Sequence, residues 1–417
     1  MQFPVIDYRE HPAFAPYVCD CTYDEALIAR HVDTMDTIHR NCCGMAGPSR
    51  ADADDALSQI RRSLEAIVTH VRDQGISLLA EEWLHACTDW VLKDLRHEYL
   101  RKFYAAREYE GRALSPALRS QLDEMNEQGG YIAALPANRY ADIRRLALEH
   151  LPDLKARALS EKNGRAVVSV TIRTALGRAI RQAVKESGVL DVLSEYKQNR
   201  MTMMGAGLEY SCSEQNWYQN LYSDVGLPGS PFQYLHVDEA DHYPKSMIYV
   251  TPVAEENGPT RVMPGSHRWE RSELVFRMHK ALDKVVSDRY ARYARGSNYR
   301  PLSRHPELRR VFMEMPRQFQ GSSHFGDDVL ADSGLAKTLG AIEQPFISQG
   351  AQTLVFDGPR LLHRGSLVRS GERMALQVVY RNQNDERLQS LAAGESWLRE
   401  QAALTRKYVR KLMLGHV

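Results

Sequence analysis

The stretch Tyr234-Leu235-His236-Val237-Asp238 constrains this chain more than any other. Its apolar–polar alternation is that of a strand, and strand side chains repeat every two positions. His236 and Asp238 then project from one face, so a single rigid strand offers an imidazole and a carboxylate to one metal ion. A third donor has to come from a distant segment. His363, 127 residues later, is the best candidate, at the end of Thr353-Leu354-Val355-Phe356-Asp357-Gly358-Pro359-Arg360-Leu361-Leu362-His363. Two histidines and one carboxylate on one side of an ion, with the other positions open, form the facial donor set of non-haem ferrous sites. A fold that satisfies this must bring segments far apart in the chain side by side.

An HxD triplet alone occurs by chance in chains of this size, and the other motifs carry the rest. After a strand over Ser246 to Val253 comes Glu256-Asn257-Gly258-Pro259-Thr260-Arg261-Val262-Met263-Pro264-Gly265-Ser266-His267. Its Asn257-Gly258 and Pro264-Gly265-Ser266 have turn chemistry, and His267 is read as a non-ligand. Arg373 stands ten residues after His363. In this order the motifs resemble the phytanoyl-CoA dioxygenase family of Fe(II)/2-oxoglutarate oxygenases, over roughly residues 115 to 385.

The resemblance implies an α+β fold: a double-stranded β-helix (jelly-roll, cupin-like) core flanked by helices. It implies Fe(II) held by His236, Asp238 and His363, with 2-oxoglutarate and O2 at the open positions. Arg373 would take the far carboxylate of the co-substrate, because guanidinium grips a carboxylate as a bidentate fork. By the same resemblance Ser366 adds a hydroxyl there and Gln219 a hydrogen bond from a neighbouring strand. The implied reaction converts 2-oxoglutarate to succinate and CO2 while hydroxylating an unactivated C–H bond of a small molecule, in specialised metabolite biosynthesis. Related halogenases have a small residue where this chain has Asp238, so oxygen transfer is expected over halogenation, with desaturation and ring formation left open. Two rivals stay open. A cupin-like metalloenzyme that does not use 2-oxoglutarate would have no need of Arg373, and a non-catalytic binding module would have no need of three ligands.

Net charge is +1 and the charged fraction 26%, so the molecule does not advertise nucleic-acid binding. The six cysteines are scattered and fit a reducing, cytoplasmic setting. Neither Cys19-Asp20-Cys21 nor Cys42-Cys43 has the usual zinc spacing. No run of apolar residues is long enough for a membrane span, and no basic-then-apolar leader opens the chain.

Residues 1–112 read as a helical extension. Leu57, Ile60, Leu64, Ile67 and Val71 form one apolar stripe, and Gly75 sits at a helix stop. The extension either enlarges the core or forms a homodimer face or pocket wall. Residues 113–386 read as the oxygenase domain. It opens with Ser115-Pro116 as a helix start, one helix over Thr174 to Tyr196, and strands over Met201 to Tyr210 and Trp217 to Tyr222. Residues 268–345 read as a helical insert or lid. Residues 261–310 hold 13 Lys/Arg against 5 Asp/Glu, with Tyr290, Tyr293 and Tyr299 interleaved. They read first as a solvated helix face, and secondly as a cationic lid over an anionic substrate. Gly321 to Asp328 reads as a polar loop, Arg373 to Tyr380 as an alternating strand after the Ser370-Gly371 turn, and 387–417 as a C-terminal helix.

Overall fold

Strand β11 (Glu372–Asn382) is the spine of a six-stranded sheet. In this computed structural model the sheet runs β1 (Gly130–Ala134), β9 (Gln352–Phe356), β5 (Lys245–Tyr249), β11, β3 (Met201–Cys212) and β2 (Arg165–Val170). Every pairing is antiparallel. A second antiparallel sheet of five two-residue strands orders β7 (His324–Phe325), β4 (Leu235–His236), β10 (His363–Arg364), β6 (Arg261–Val262) and β8 (Gln344–Pro345). The structure describes residues 2, 7–10, 14–19, 23–44, 48–160, 164–213, 235–238, 243–290, 306–321, 324–325 and 335–384. Gln219, the strand read over Trp217 to Tyr222, Tyr293, Tyr299, most of the 321–328 loop and the C-terminal helix lie outside them.

Side-chain alternation along β11 separates two cores. Met374, Leu376, Val378 and Tyr380 pack with Leu208 of β3 against a helical layer. That layer is α4 (Pro116–Gln128), α5 (Ala137–Leu148), α6 (Leu151–Ser160), α7 (Ala175–Glu186) and α8 (Val189–Lys197). Ala375, on the opposite face, packs with Tyr249, Val262, Leu354, Phe356 and Leu361. This second cluster lies between the sheets and backs the site. One face of β11 is therefore buried from Met374 to Tyr380, and the other is buried at Arg373 and Ala375, next to the second sheet, but open at Gln377.

The helix expected over Thr174 to Tyr196 is two helices. Gly188, at φ 76°, caps the start of α8. A left-handed residue cannot continue an α-helix, and Gly takes that conformation without a Cβ penalty. Ser115 caps α4 as expected, its hydroxyl accepting from Leu118 N.

The N-terminal part forms α1 (Glu25–Gly44), α2 (Arg50–Arg72) and α3 (Leu78–Glu108). The insert contributes α9 (Glu273–Tyr290), α10 (Pro306–Met313) and α11 (Leu335–Ile342). Leu64, Ile67, Trp83 and Leu95 share one continuous apolar cluster with Leu274, Met278, Leu282 and Phe312. The first reading of 261–310, a solvated face, is overturned for α9: Arg277, Lys280 and Asp283 are 6%, 0% and 1% exposed. A count of charges along a helix does not reveal a second helical layer that covers it. No helix among the described residues is long and apolar enough to cross a membrane.

Candidate metal centre

Antiparallel pairing of β4 with β10 sets His236 directly opposite His363. Their rings lie 4.3 Å apart between centroids, tilted by 49°. Asp238 follows two residues on, and its N–H donates to Gly358 O at 2.8 Å, tying the end of β4 to the turn between β9 and β10. One ligand atom from each of His236, Asp238 and His363 lies within 4.8 Å of the others. His363 Nε2 is 3.7 Å from Asp238 Oδ1. The three candidate ligands read from the sequence therefore meet at one point.

The surroundings of His363 and Asp238 suit a cation. His363 Nδ1 lies 2.9 Å from Leu361 O. A carbonyl can only accept, so the proton sits on Nδ1 and the Nε2 lone pair faces Asp238. Phe356 packs its ring at 60° to His363, with centroids 4.9 Å apart. Among the described residues Asp238 Oδ2 is buried with no hydrogen-bond partner, and such an atom is costly unless a cation neutralises it. Lys245, on the inward face of β5, holds Oδ1 at 2.6 Å. Burial alone would raise Asp238. Lys245, then His363 and His236, outweigh it and keep the carboxyl well below the usual carboxylate range. The donor set, the fixed tautomer and the orphaned oxygen together fit a divalent ion such as Fe(II).

Arg373 projects on the Ala375 side of β11, toward the inter-sheet cluster. Its guanidinium donates to Gly258 O, to Glu209 Oε1 at 2.9 Å and to Ser211 Oγ at 3.4 Å. Its Nε is buried without a hydrogen-bond partner. Glu209 is also held by Arg165 at 2.6 Å. Burial would raise Glu209, but Arg165 and Arg373 pull it down to about 2. Gly258 sits at φ 74°, and a Cβ there would collide with the Ser366 carbonyl, so this turn needs glycine to present its own carbonyl to Arg373. The Ser366 hydroxyl accepts from Arg261 Nε at 3.0 Å. His267 Nε2 lies 3.0 Å from Asn126 O, apart from the triad.

Lys245, Glu209 and Gly358 escaped the sequence reading. An added Cβ on Gly358 would overlap Asp238 Oδ2, so that glycine leaves room for the ligand. The signal for Lys245 was available, since Lys245, Met247 and Tyr249 alternate with Ser246 and Ile248. The signal for Glu209 was not, because it depends on how β3 registers against β11.

Residues 161–302 match the family model described as phytanoyl-CoA dioxygenase (PhyH). The match contains His236 and Asp238 and ends before His363. Over that stretch, about a third of the chain, it is similar to the phytanoyl-CoA dioxygenase family. Enzymes of that family are dioxygenases that use iron and 2-oxoglutarate. Among solved structures, this chain is similar to EctD from S. alaskensis with bound Fe. Identity is 13% over 66% of this chain and 80% of that one, with a TM-score of 0.38. It is also similar to the epimerase SnoN in complex with Fe3+, alpha ketoglutarate and nogalamycin RO, at 11% identity over 64% and 84%, TM-score 0.35. A third is apo HygX from Streptomyces hygroscopicus, at 13% identity over 65% and 88%, TM-score 0.35. No curated protein matches the chain.

Proposed function

We propose that this chain is an Fe(II)- and 2-oxoglutarate-dependent oxygenase that hydroxylates an unactivated C–H bond of a small-molecule metabolite. His236, Asp238 and His363 hold the metal, and Arg373 binds the far carboxylate of 2-oxoglutarate. The observation that carries this reading is the convergence of the three donors, one ligand atom of each within 4.8 Å of the others and His363 Nε2 3.7 Å from Asp238 Oδ1. The two antiparallel sheets then form the halves of a double-stranded β-helix, with residues 1–112 and 268–345 as helical additions to it.

When bound, the iron supplies activation of dioxygen through oxidative decarboxylation of 2-oxoglutarate. The chain's own residues do the rest. Leu361 O locks the His363 tautomer, and Lys245 keeps Asp238 charged and oriented. Gly258 O and Glu209 fix the plane of the Arg373 guanidinium, so that a carboxylate meets a preorganised cation. Tyr249, Phe356 and Leu361 line the interior with apolar surface that excludes water from the site.

The Glu209–Arg373 pair favours a second reading, a metalloenzyme that does not use 2-oxoglutarate, because it already balances the guanidinium. Anaerobic mixing with Fe(II) and 2-oxoglutarate separates the two. The oxygenase gives a weak visible charge-transfer band, which weakens in Arg373→Ala and vanishes in His236→Ala. Iron binding with no band in the unmutated protein supports the second reading. Succinate release across a metabolite panel, with mass spectrometry for a gain of one oxygen, then identifies the substrate.

A further inference from the structure

A cavity of about 500 Å³ opens where the N-terminal helices meet α9 and the turn between β9 and β10. Its size is that of a small-molecule site. Seven Lys and Arg side chains line it against three carboxylates. The carboxylates are already committed. Glu98 pairs with Arg277, Glu273 with Arg360 at 3.1 Å, and Asp357 with Lys197 at 2.8 Å. Arg40, Arg101 and Lys102 have no such partner among the described residues. Arg40 donates to Asp36 O and Thr37 Oγ1, and Lys102 donates to Cys43 O at 3.1 Å. Arg101 Nε is buried with no hydrogen-bond partner among the described residues.

These three cations come from two helices, α1 and α3, and face one space. Of the cations behind them, Arg360 is raised despite its burial, by Glu273 and Asp357, whereas Arg277 and Lys197 are lowered. Burial and then Arg360 pull Arg277 down to about 10, and burial lowers Lys197, with Arg101 and Arg360 acting in the same direction. Positive charge gathered in a concave, partly buried space in excess of its counter-charge is unfavourable until an anion enters.

We propose that this cavity binds a phosphate-bearing small molecule, with a diphosphate or similarly multivalent group held by Arg40, Arg101 and Lys102. A lone carboxylate brings one charge and cannot neutralise three cations. Linked phosphates bring several, and their oxygens fit guanidinium forks. A metal ion is the poorer occupant, although His39, Cys43 and Glu98 stand within ligand distance of one another on the same wall. A dication would enter against the excess positive charge, and Cys43, pushed up to about 12 by burial and then by Glu98, presents a thiol rather than a thiolate. The cavity is distinct from the candidate metal centre but close to it in the chain: Asp357 lines the cavity, and the next residue, Gly358, packs on Asp238.

Calorimetric titration of inorganic pyrophosphate into the full-length, metal-free protein at low salt tests this without any catalytic readout. Saturable one-to-one binding is expected, weakening steeply as salt is added. Arg101→Ala combined with Lys102→Ala should weaken it by at least about tenfold, the equivalent of ~1.4 kcal/mol. Arg40→Ser, at an exposed position that the fold does not need, should weaken it several-fold by itself. His236→Ala should leave it unchanged. No saturable binding to the unmutated protein overturns the proposal. So does binding that is indifferent to the Arg40 change, binding lost with His236, or equally tight binding of citrate, which would reassign the cavity to polycarboxylates.

Discussion

Asp238 is charged and buried, with Lys245 on its Oδ1 and no hydrogen bond to its Oδ2 among the described residues, and the residues around it follow from that. Gly358 gives its Oδ2 room, because a Cβ at that position would overlap the oxygen. Gly358→Ala is therefore expected to displace the ligand rather than strain the backbone. Iron affinity should fall by about 10–100-fold, the range seen when support of a metal ligand is lost. Equilibrium dialysis with metal analysis measures it, and unchanged affinity with a native circular dichroism spectrum refutes the role. Glu209 shows the same physics read through pH. Its folded value, about 2, lies below its ordinary 4.5. The unfolded state thus takes up the proton first on acidification. The stability it contributes is fully present above about pH 4.5 and is lost as pH falls toward 2. A shift of that size corresponds to something on the order of 3 kcal/mol. Urea midpoints near pH 6 and pH 3 should converge for Glu209→Gln relative to the unmutated chain, after allowing for its lower stability at neutral pH. Equal acid sensitivity in both would remove Glu209 from the account. Of these residues, the sequence made His236, Asp238 and His363 legible because metal donors have recognisable types and strand spacing. Glu209 and Gly358 act through distances that no spacing rule encodes.

At the scale of elements, short turns and strand ends do most of the positioning. Alternation in Arg373 to Tyr380 was enough to read a strand and the face Arg373 shares with Ala375. It could not show that Gly258 O and Glu209 already hold the guanidinium, since both partners arrive from other strands. The 174–196 helix was misread for a similar reason: its apolar stripe runs on through Gly188, and only the left-handed backbone there divides α7 from α8. The Gly258 turn offers the sharpest test. Its positive φ disfavours any side chain by roughly 1–2 kcal/mol, and the Ser366 carbonyl blocks a Cβ as well. Gly258→Ala should shift the carbonyl that accepts from Arg373. The expected signature is a several-fold weaker binding of 2-oxoglutarate, read from titration of the anaerobic charge-transfer band, with iron affinity nearly unchanged. Loss of iron binding to the same degree would mean that the turn supports the whole site, not the Arg373 end of it.

At the scale of the molecule, the helical additions are one unit assembled from two parts of the chain. Helices α1 to α3 and the insert helices α9 and α10 bury their apolar faces in a common cluster, separate from the clusters that pack on the large sheet. Arg277 of α9 reinforces the join through Asp94 and Glu98 of α3. The stripe on α2 announced that it buries one face, but nothing local names a partner some 200 residues away. A lesion on one side of this join should therefore be felt on the other. Leu282 is 1% exposed within the common cluster, and Leu282→Ala should cost about 2–5 kcal/mol locally through lost burial and the cavity left behind. Native-state hydrogen exchange resolves where that cost falls. Amides of α2 and α3 should lose protection together with those of α9, while β3 and β11 keep theirs. If instead the β3–β11 ladder opens equally, the helical unit and the sheets unfold as one, and the additions are an integral part of the catalytic core. If α9 alone loses protection, the insert folds independently of the N-terminal helices and the shared cluster does not couple them.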